Sequence, residues 1–153
     1  QGLFSPDEVE AKGKEIAQIC YDFARKTVHA SEPVLQALSE KYPLVLVSNF
    51  YGNIETVLED FGIRKYFKDI TESAVLGIRK PDPRIFEHGV KSLGILPEQT
   101  LVIGDSLRKD IEPAESLGCQ VLWIKGEGWT KEEDEQTHPN TIYALEEAKA
   151  ILL

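Results

Sequence analysis

The stretch LVIGDSLRKDIEPAESLG, residues 101–118, sets the problem. Leu101, Val102 and Ile103 read as a short buried strand that Gly104 breaks. Asp105 stands at the strand's C-terminal end, and Asp110 falls in the first turn of the helix predicted to follow and to close at Gly118. A buried carboxylate is costly unless something positive meets it. A metal ion, a lysine and plain solvent are the candidates.

Outward from that stretch, apolar runs alternate with helical patterns. Residues 44–47 and 121–124 are continuous apolar runs that read as buried strands, and residues 70–75 read as a weaker one. Helical spacing appears over 54–61, closed by Gly62, over 83–93, closed by Gly94, and over 141–152. Near the start, Ser5-Pro6-Asp7-Glu8 is a capping box with proline in the first turn, predicting a helix to about residue 27. Ser31-Glu32-Pro33 then predicts a separate, shorter helix. Residues 125–140 are polar and acidic and read as a solvated loop. The alternation implies α/β architecture, with a parallel sheet covered by helices on both faces. Ligands in such folds bind at the C-terminal ends of the strands. That rule selects Ser48-Asn49, the segment after Val75, and Asp105.

Composition narrows the function classes. With 153 residues, 42% hydrophobic and 28% charged, the chain suits one soluble domain with one core. A net charge of −9 leaves no basic excess to neutralise phosphates, which argues against nucleic acid or an anionic membrane as partner. No apolar run approaches the roughly 20 residues that span a bilayer, and no secretory signal is visible. Cys20 and Cys119 could pair; two buried free thiols are the preferred reading, suiting a reducing cytoplasm. The chain starts at Gln1 and contains no methionine, so an upstream segment is expected to have been removed.

Each strand end carries its own chemistry, and each admits two readings. In VLVSNFYGN (45–53) a hydroxyl and free backbone N–H groups could receive an anion, or could cap the next helix. In GIRKPDPRIF (77–86) Pro81 and Pro83 stiffen the loop around Lys80, which is either held for a purpose or an ordinary surface lysine. Asp105 and Asp110 could hold Mg2+, which keeps waters and binds through one or two carboxylates plus substrate phosphate. They could equally cap a helix and answer its dipole, for less than about 1 kcal/mol. Three such signatures at three successive strand ends favour the joint reading. In an acidic chain a phosphate ester needs a local positive field. One lysine at about 4 Å supplies roughly 4 kcal/mol at an effective dielectric near 20, and a divalent ion about doubles it. Lysine, ion and hydroxyl together make a phosphoryl-transfer clamp.

These residues resemble the haloacid dehalogenase-like (HAD-like) hydrolases over nearly the whole chain from about Ala30. LVLVSN (44–49) resembles the second family motif, Lys80 in GIRKPDPRIF the third, and LVIGDSLRKD (101–110) the fourth. The resemblance implies a Rossmann-like three-layer α/β/α core over 29–153, with 1–28 as the remnant of a small helical cap, as in the phosphoglycolate phosphatase and β-phosphoglucomutase subgroup. It implies phosphate binding by Ser48, Asn49 and Lys80, with Ser48 and Lys80 catalytic. Asp105 would ligate Mg2+, with Asp110 as ligand or support. The paired acids resemble metal-dependent phosphatases rather than dehalogenases, and the substrate would be a small phosphorylated metabolite. The family's first motif, a strand ending in Asp-x-Asp whose first Asp is the nucleophile, occurs nowhere in the chain. The chain is therefore expected to lack the central strand and to be inactive alone, its aspartyl-phosphate being formed only in an intact parent. The strands at Leu44 and Leu101 should then face each other about 10 Å apart, twice the usual spacing. A cleaved N-terminal peptide or a neighbouring chain would fill the gap. The alternative is a non-catalytic binding or assembly module on the same scaffold.

Overall fold

The computed structural model describes residues 5–128 and 130–153. Helix α1 (Pro6–Ser39) opens with the expected box: Ser5 Oγ accepts from Glu8 N–H while Glu8 accepts from Ser5 N–H at 2.8 Å. The predicted break before Pro33 does not occur. Proline removes one helical hydrogen bond there, but Val34 and Leu38 are buried just beyond it. Glu32, just before it, accepts from Tyr66 Oη at 2.9 Å and pairs with Lys65 at 3.3 Å. Tertiary anchors on both sides outweigh the local defect. The boundary drawn at 28/29 thus falls inside one continuous helix.

The chain continues through β1 (Leu44–Ser48), α2 (Ile54–Asp60), β2 (Phe67–Glu72), the short α3 (Ser73–Leu76) and α4 (Arg84–Leu93). Then come β3 (Leu101–Gly104), a π-helical turn at Leu107–Ile111, α5 (Glu112–Ser116), β4 (Gln120–Ile124), α6 (Lys131–Glu135), β5 (Thr141–Ile142) and α7 (Leu145–Leu152). Three expectations need correction. The weaker strand is 67–72, and residues 73–75 belong to α3. The connector 125–140 holds α6, capped by Thr130 Oγ1 accepting from Glu133 N–H. Residues 141–142 are a strand, because the outer edge of β4 offers hydrogen bonds there: Lys125 N–H donates to Ile142 O at 2.8 Å.

All paired strands are parallel, but they form two sheets. One is β1–β2 and the other is β3–β4–β5; no ladder joins β1 to β3 among the described residues. Side chains alternate as the pleat requires. On one face Val45 and Val47 meet Gly89 of α4, and Val102 joins Val90, Ile111, Ala114 and Trp123. On the other, Leu46 packs with α2 and α1, and Leu101 and Ile103 pack with Ile142 and Ala148. The result is three layers, α/β/α. Helix α4 serves both sheets, and Tyr42 Oη donates to Leu152 O at 3.0 Å on the opposite face.

One expectation about burial is overturned. Residues 44–47 and 101–103 read as fully buried, yet every residue of β1 and β3 is only half-buried. A groove of about 280 Å³ runs between the two strands, lined by Leu44, Leu101, Ile103, Leu38, Leu93 and Leu152. Cys119 is buried as expected, and burial pushes its thiol pKa up, whereas Cys20 is exposed on α1. No helix among the described residues is long and apolar enough to cross a membrane.

Glycine placement gives a test of the packing. A Cβ on Gly89 would lie 3.0 Å from Val47 Cγ2 and 3.4 Å from Val45 Cγ1, whereas one on Gly13 meets nothing within 4 Å. Gly13→Ala should raise stability by about 0.5–1 kcal/mol through helix propensity. Gly89→Val should lower it by roughly 1–3 kcal/mol by overpacking. Urea unfolding of the two variants should move the midpoint in opposite directions.

Candidate phosphate and metal site

The carboxylates of the 101–110 stretch meet different partners. Asp110 sits in the π-helical turn, where its N–H donates to Ser106 O at 2.8 Å. Its side chain is 6% exposed and takes Lys80 Nζ at 2.6 Å on Oδ1 and Ser106 N–H at 3.0 Å on Oδ2. Gly104 makes this possible. A Cβ there would stand 2.4 Å from Asp110 Cβ, so the strand tip and the turn can close only over glycine. Asp105, in contrast, is exposed. Its carbonyl accepts from Trp123 Nε1 at 3.0 Å, which fixes the backbone, while its carboxylate has no partner among the described residues. The capping reading falls away for Asp105, because Ser106 caps the turn: its Oγ accepts from Lys109 N–H at 3.2 Å.

Lys80 is not an ordinary surface lysine. Its side chain is 17% exposed, and its ammonium lies 5.6 Å from the Phe86 ring centroid. The Lys80–Pro81 peptide is cis. The loop is held from β1: Asn49 Oδ1 accepts from Lys80 N–H at 2.8 Å and Asn49 Nδ2 donates to Lys80 O at 3.2 Å. This two-point amide clamp was not foreseen. The Asn49 side chain is spent on positioning Lys80, which leaves its backbone N–H as the group it can offer an anion. Nor do Ser48 and Asn49 cap α2: its N-cap is Asn53, the end of the same segment, which makes no side-chain cap hydrogen bond. Ser48 ends β1 immediately before this clamp.

A continuous set of contacts therefore joins Ser48-Asn49, Lys80, Asp110 and the Asp105-Ser106 corner, across the two sheets. The donor set suits Mg2+ in one respect: Asp105 offers carboxylate oxygens with no partner among the described residues. Asp110 has both oxygens engaged and stands as the group that holds Lys80. With two acidic residues at hand, Mg2+ would take its remaining positions from water and substrate phosphate. Sequence reasoning missed Gly104 as the site's close approach, Phe86 beneath the ammonium, and Trp123 behind Asp105. Only the spacing Gly-Asp-x4-Asp hinted at the first. In the connector, His138 stands 3.1 Å from Glu115 Oε1, and Trp129 lies outside the described residues.

The family model for haloacid dehalogenase-like hydrolases matches residues 4–118. Glyceraldehyde 3-phosphate phosphatase of Methanocaldococcus jannaschii is 35% identical over 86 residues, 56% of this chain and 38% of that one. A HAD phosphatase from Thermococcus onnurineus superposes with a TM-score of 0.70 at 28% identity, over 78% of this chain and 55% of its own. The Bacillus subtilis HAD-hydrolase YfnB, in a magnesium-bound structure, gives 0.67 at 29% identity, over 78% and 53%. The chain thus spans about a third to a half of the length of the first curated relatives it matches.

Removing Asp110 strands a mostly buried ammonium. Asp110→Ala should cost about 3–5 kcal/mol, as expected for a buried pair that loses one partner. Gly104→Ala should also destabilise the fold, through the forced separation of the same turn. Denaturant melts of both variants check this, and a wild-type midpoint in either would contradict the geometry.

Proposed function

Since the chain belongs to the haloacid dehalogenase-like hydrolases, we propose that it is the phosphate-handling core of an enzyme that hydrolyses a small-molecule phosphate monoester with Mg2+. The observation that carries this reading is the linkage of Asn49, Lys80, Asp110 and Ser106 at the strand tips, with Ser48 and Asp105 adjacent in the chain to its two ends. The magnesium named for the Bacillus subtilis relative supports the ion.

In this reading the Ser48 hydroxyl and the Asn49 N–H receive phosphoryl oxygens. Lys80 places its ammonium against the same group, held on line by Asp110. Asp105 would hold the ion, with Asp110 as ligand or support. When bound, Mg2+ supplies electrostatic stabilisation of the transferring phosphoryl group. The nucleophile is an aspartate outside residues 1–153, carried on an extended segment between β1 and β3. Its carboxylate attacks phosphorus, the ester oxygen leaves and takes up a proton, and water cleaves the aspartyl-phosphate. The half-buried strands, the absent ladder and the apolar groove between them support a missing strand. A cleaved N-terminal peptide or a neighbouring chain would supply it. Residues 1–28 are then the remnant of a cap, which agrees with the exposure of α1 over 6–22. Free thiols at Cys20 and Cys119 support a cytoplasmic setting. The absence of Asp-x-Asp from all 153 residues favours a second reading, a non-catalytic binding module.

The test is an aryl-phosphate assay with and without the segment encoded upstream. The 153-residue chain alone should show no turnover. The longer protein should turn over, lose activity with EDTA, and lose about a hundredfold or more in Lys80→Ala, the scale of removing one preorganised charge contact. Turnover indifferent to EDTA and to Lys80→Ala would remove the mechanism. An upstream sequence with no Asp-x-Asp would establish the binding module instead.

A further inference from the structure

A second cavity, of about 390 Å³, opens beside the Lys80 loop. One wall is the loop after β1, with Asn49, Phe50 and Tyr51; the other is α3 and the run Gly77-Ile78-Arg79 that leads into Lys80. The walls are stapled together. Phe50 N–H donates to Ser73 Oγ at 3.1 Å, Ser73 Oγ–H donates to Phe50 O at 3.3 Å, and Gly52 N–H donates to the Glu72 carboxylate. The cavity is therefore shaped before any ligand arrives. It adjoins the candidate phosphate site because Asn49 belongs to both and Arg79 is the residue next to Lys80.

Its chemistry is specific. Tyr51 is 91% exposed and turned away from the core, with its ring 5.4 Å from that of Phe50. Arg79 is exposed, and no acidic side chain pairs with it among the described residues. Arg64 and Arg84 each hold a carboxylate, at 2.8 and 2.6 Å; Arg25 and Arg108, like Arg79, form no ion pair among the described residues, and of these three Arg79 lines the cavity. In a chain of net charge −9 an arginine without an acid partner, on the wall of a preformed cavity, is a cation left for a ligand. Glu72, the buried acid that ends β2 just before α3, is engaged by Gly52. Resting on the phosphatase reading, we infer that this cavity seats the leaving group of the ester and that Arg79 selects a leaving group bearing a carboxylate. A guanidinium fork matches a carboxylate in two-point geometry. A second phosphate would bring two more negative charges to one unpaired cation in an acidic protein, and fits less well.

The probes are 3-phosphoglycerate and glycerol 3-phosphate, which differ by a carboxylate in place of a hydroxymethyl group. Both are titrated into the chain with Mg2+ and followed by amide chemical shifts, in wild type, Arg79→Ala and Lys80→Ala. The wild type should bind 3-phosphoglycerate about tenfold more tightly, as for one charge-assisted hydrogen-bonded pair. Arg79→Ala should bring the two affinities together, and Lys80→Ala should weaken both. Equal wild-type affinities, or a preference that survives Arg79→Ala, overturn the subsite while the phosphatase reading stands. Affinities unmoved by Lys80→Ala overturn the phosphatase reading, and the subsite with it.

Discussion

The pair between Lys80 and Asp110 is the constraint on which the rest of the site depends. It joins a loop set by β1 to a turn set by β3, so it ties together strand tips that share no ladder. Buried ion pairs seldom add much net stability, yet they are severe about geometry, because a partner left alone keeps its desolvation cost. Here that severity is distributed. Asn49 holds the backbone of Lys80, Ser106 holds the second oxygen of Asp110, and Gly104 gives the turn room to close. Lys80 therefore has one place to be.

Around that pair the molecule is two half-sheets sharing a roof. Gly89 of α4 lies on β1, while its neighbour Val90 packs into the cluster under β3 and β4. Beneath, the end of α1 meets α7. Between the halves the backbone edges of β1 and β3 stay unsatisfied by each other, and their apolar residues stay half-exposed. An interior with unpaired strand edges is unusual among folded chains.

Much of this was readable in residue order. The runs 44–47, 101–103 and 121–124 are strands because their apolar residues are contiguous and punctuated by Ser48, Gly104 and Lys125. Helix α4 runs from Arg84 to Leu93 and ends at Gly94, whose φ of 72° suits glycine. Lys80 and the two aspartates stood out by position at strand ends. What escaped was whatever depends on distant partners. Pro33 sits inside a helix because Tyr66 and Lys65 lie across from Glu32. Thr141 and Ile142 are a strand because β4 has an open edge. The Asn49 side chain is a clamp because Lys80 comes back within reach of it. Local pattern carries none of these meetings; it names the groups and leaves their partners to the fold.

The division of the sheet also shapes how the molecule comes apart. Each half closes on itself over a short stretch of chain, residues 44–72 for one and 101–142 for the other. Only side chains and helix packing cross the seam. Such a molecule can hinge or open there without tearing a single ladder, and its two halves form natural cooperative units with separate opening equilibria. Amide protons in the two halves would then exchange with solvent on different timescales, slowed together only when something seated in the groove knits the edges.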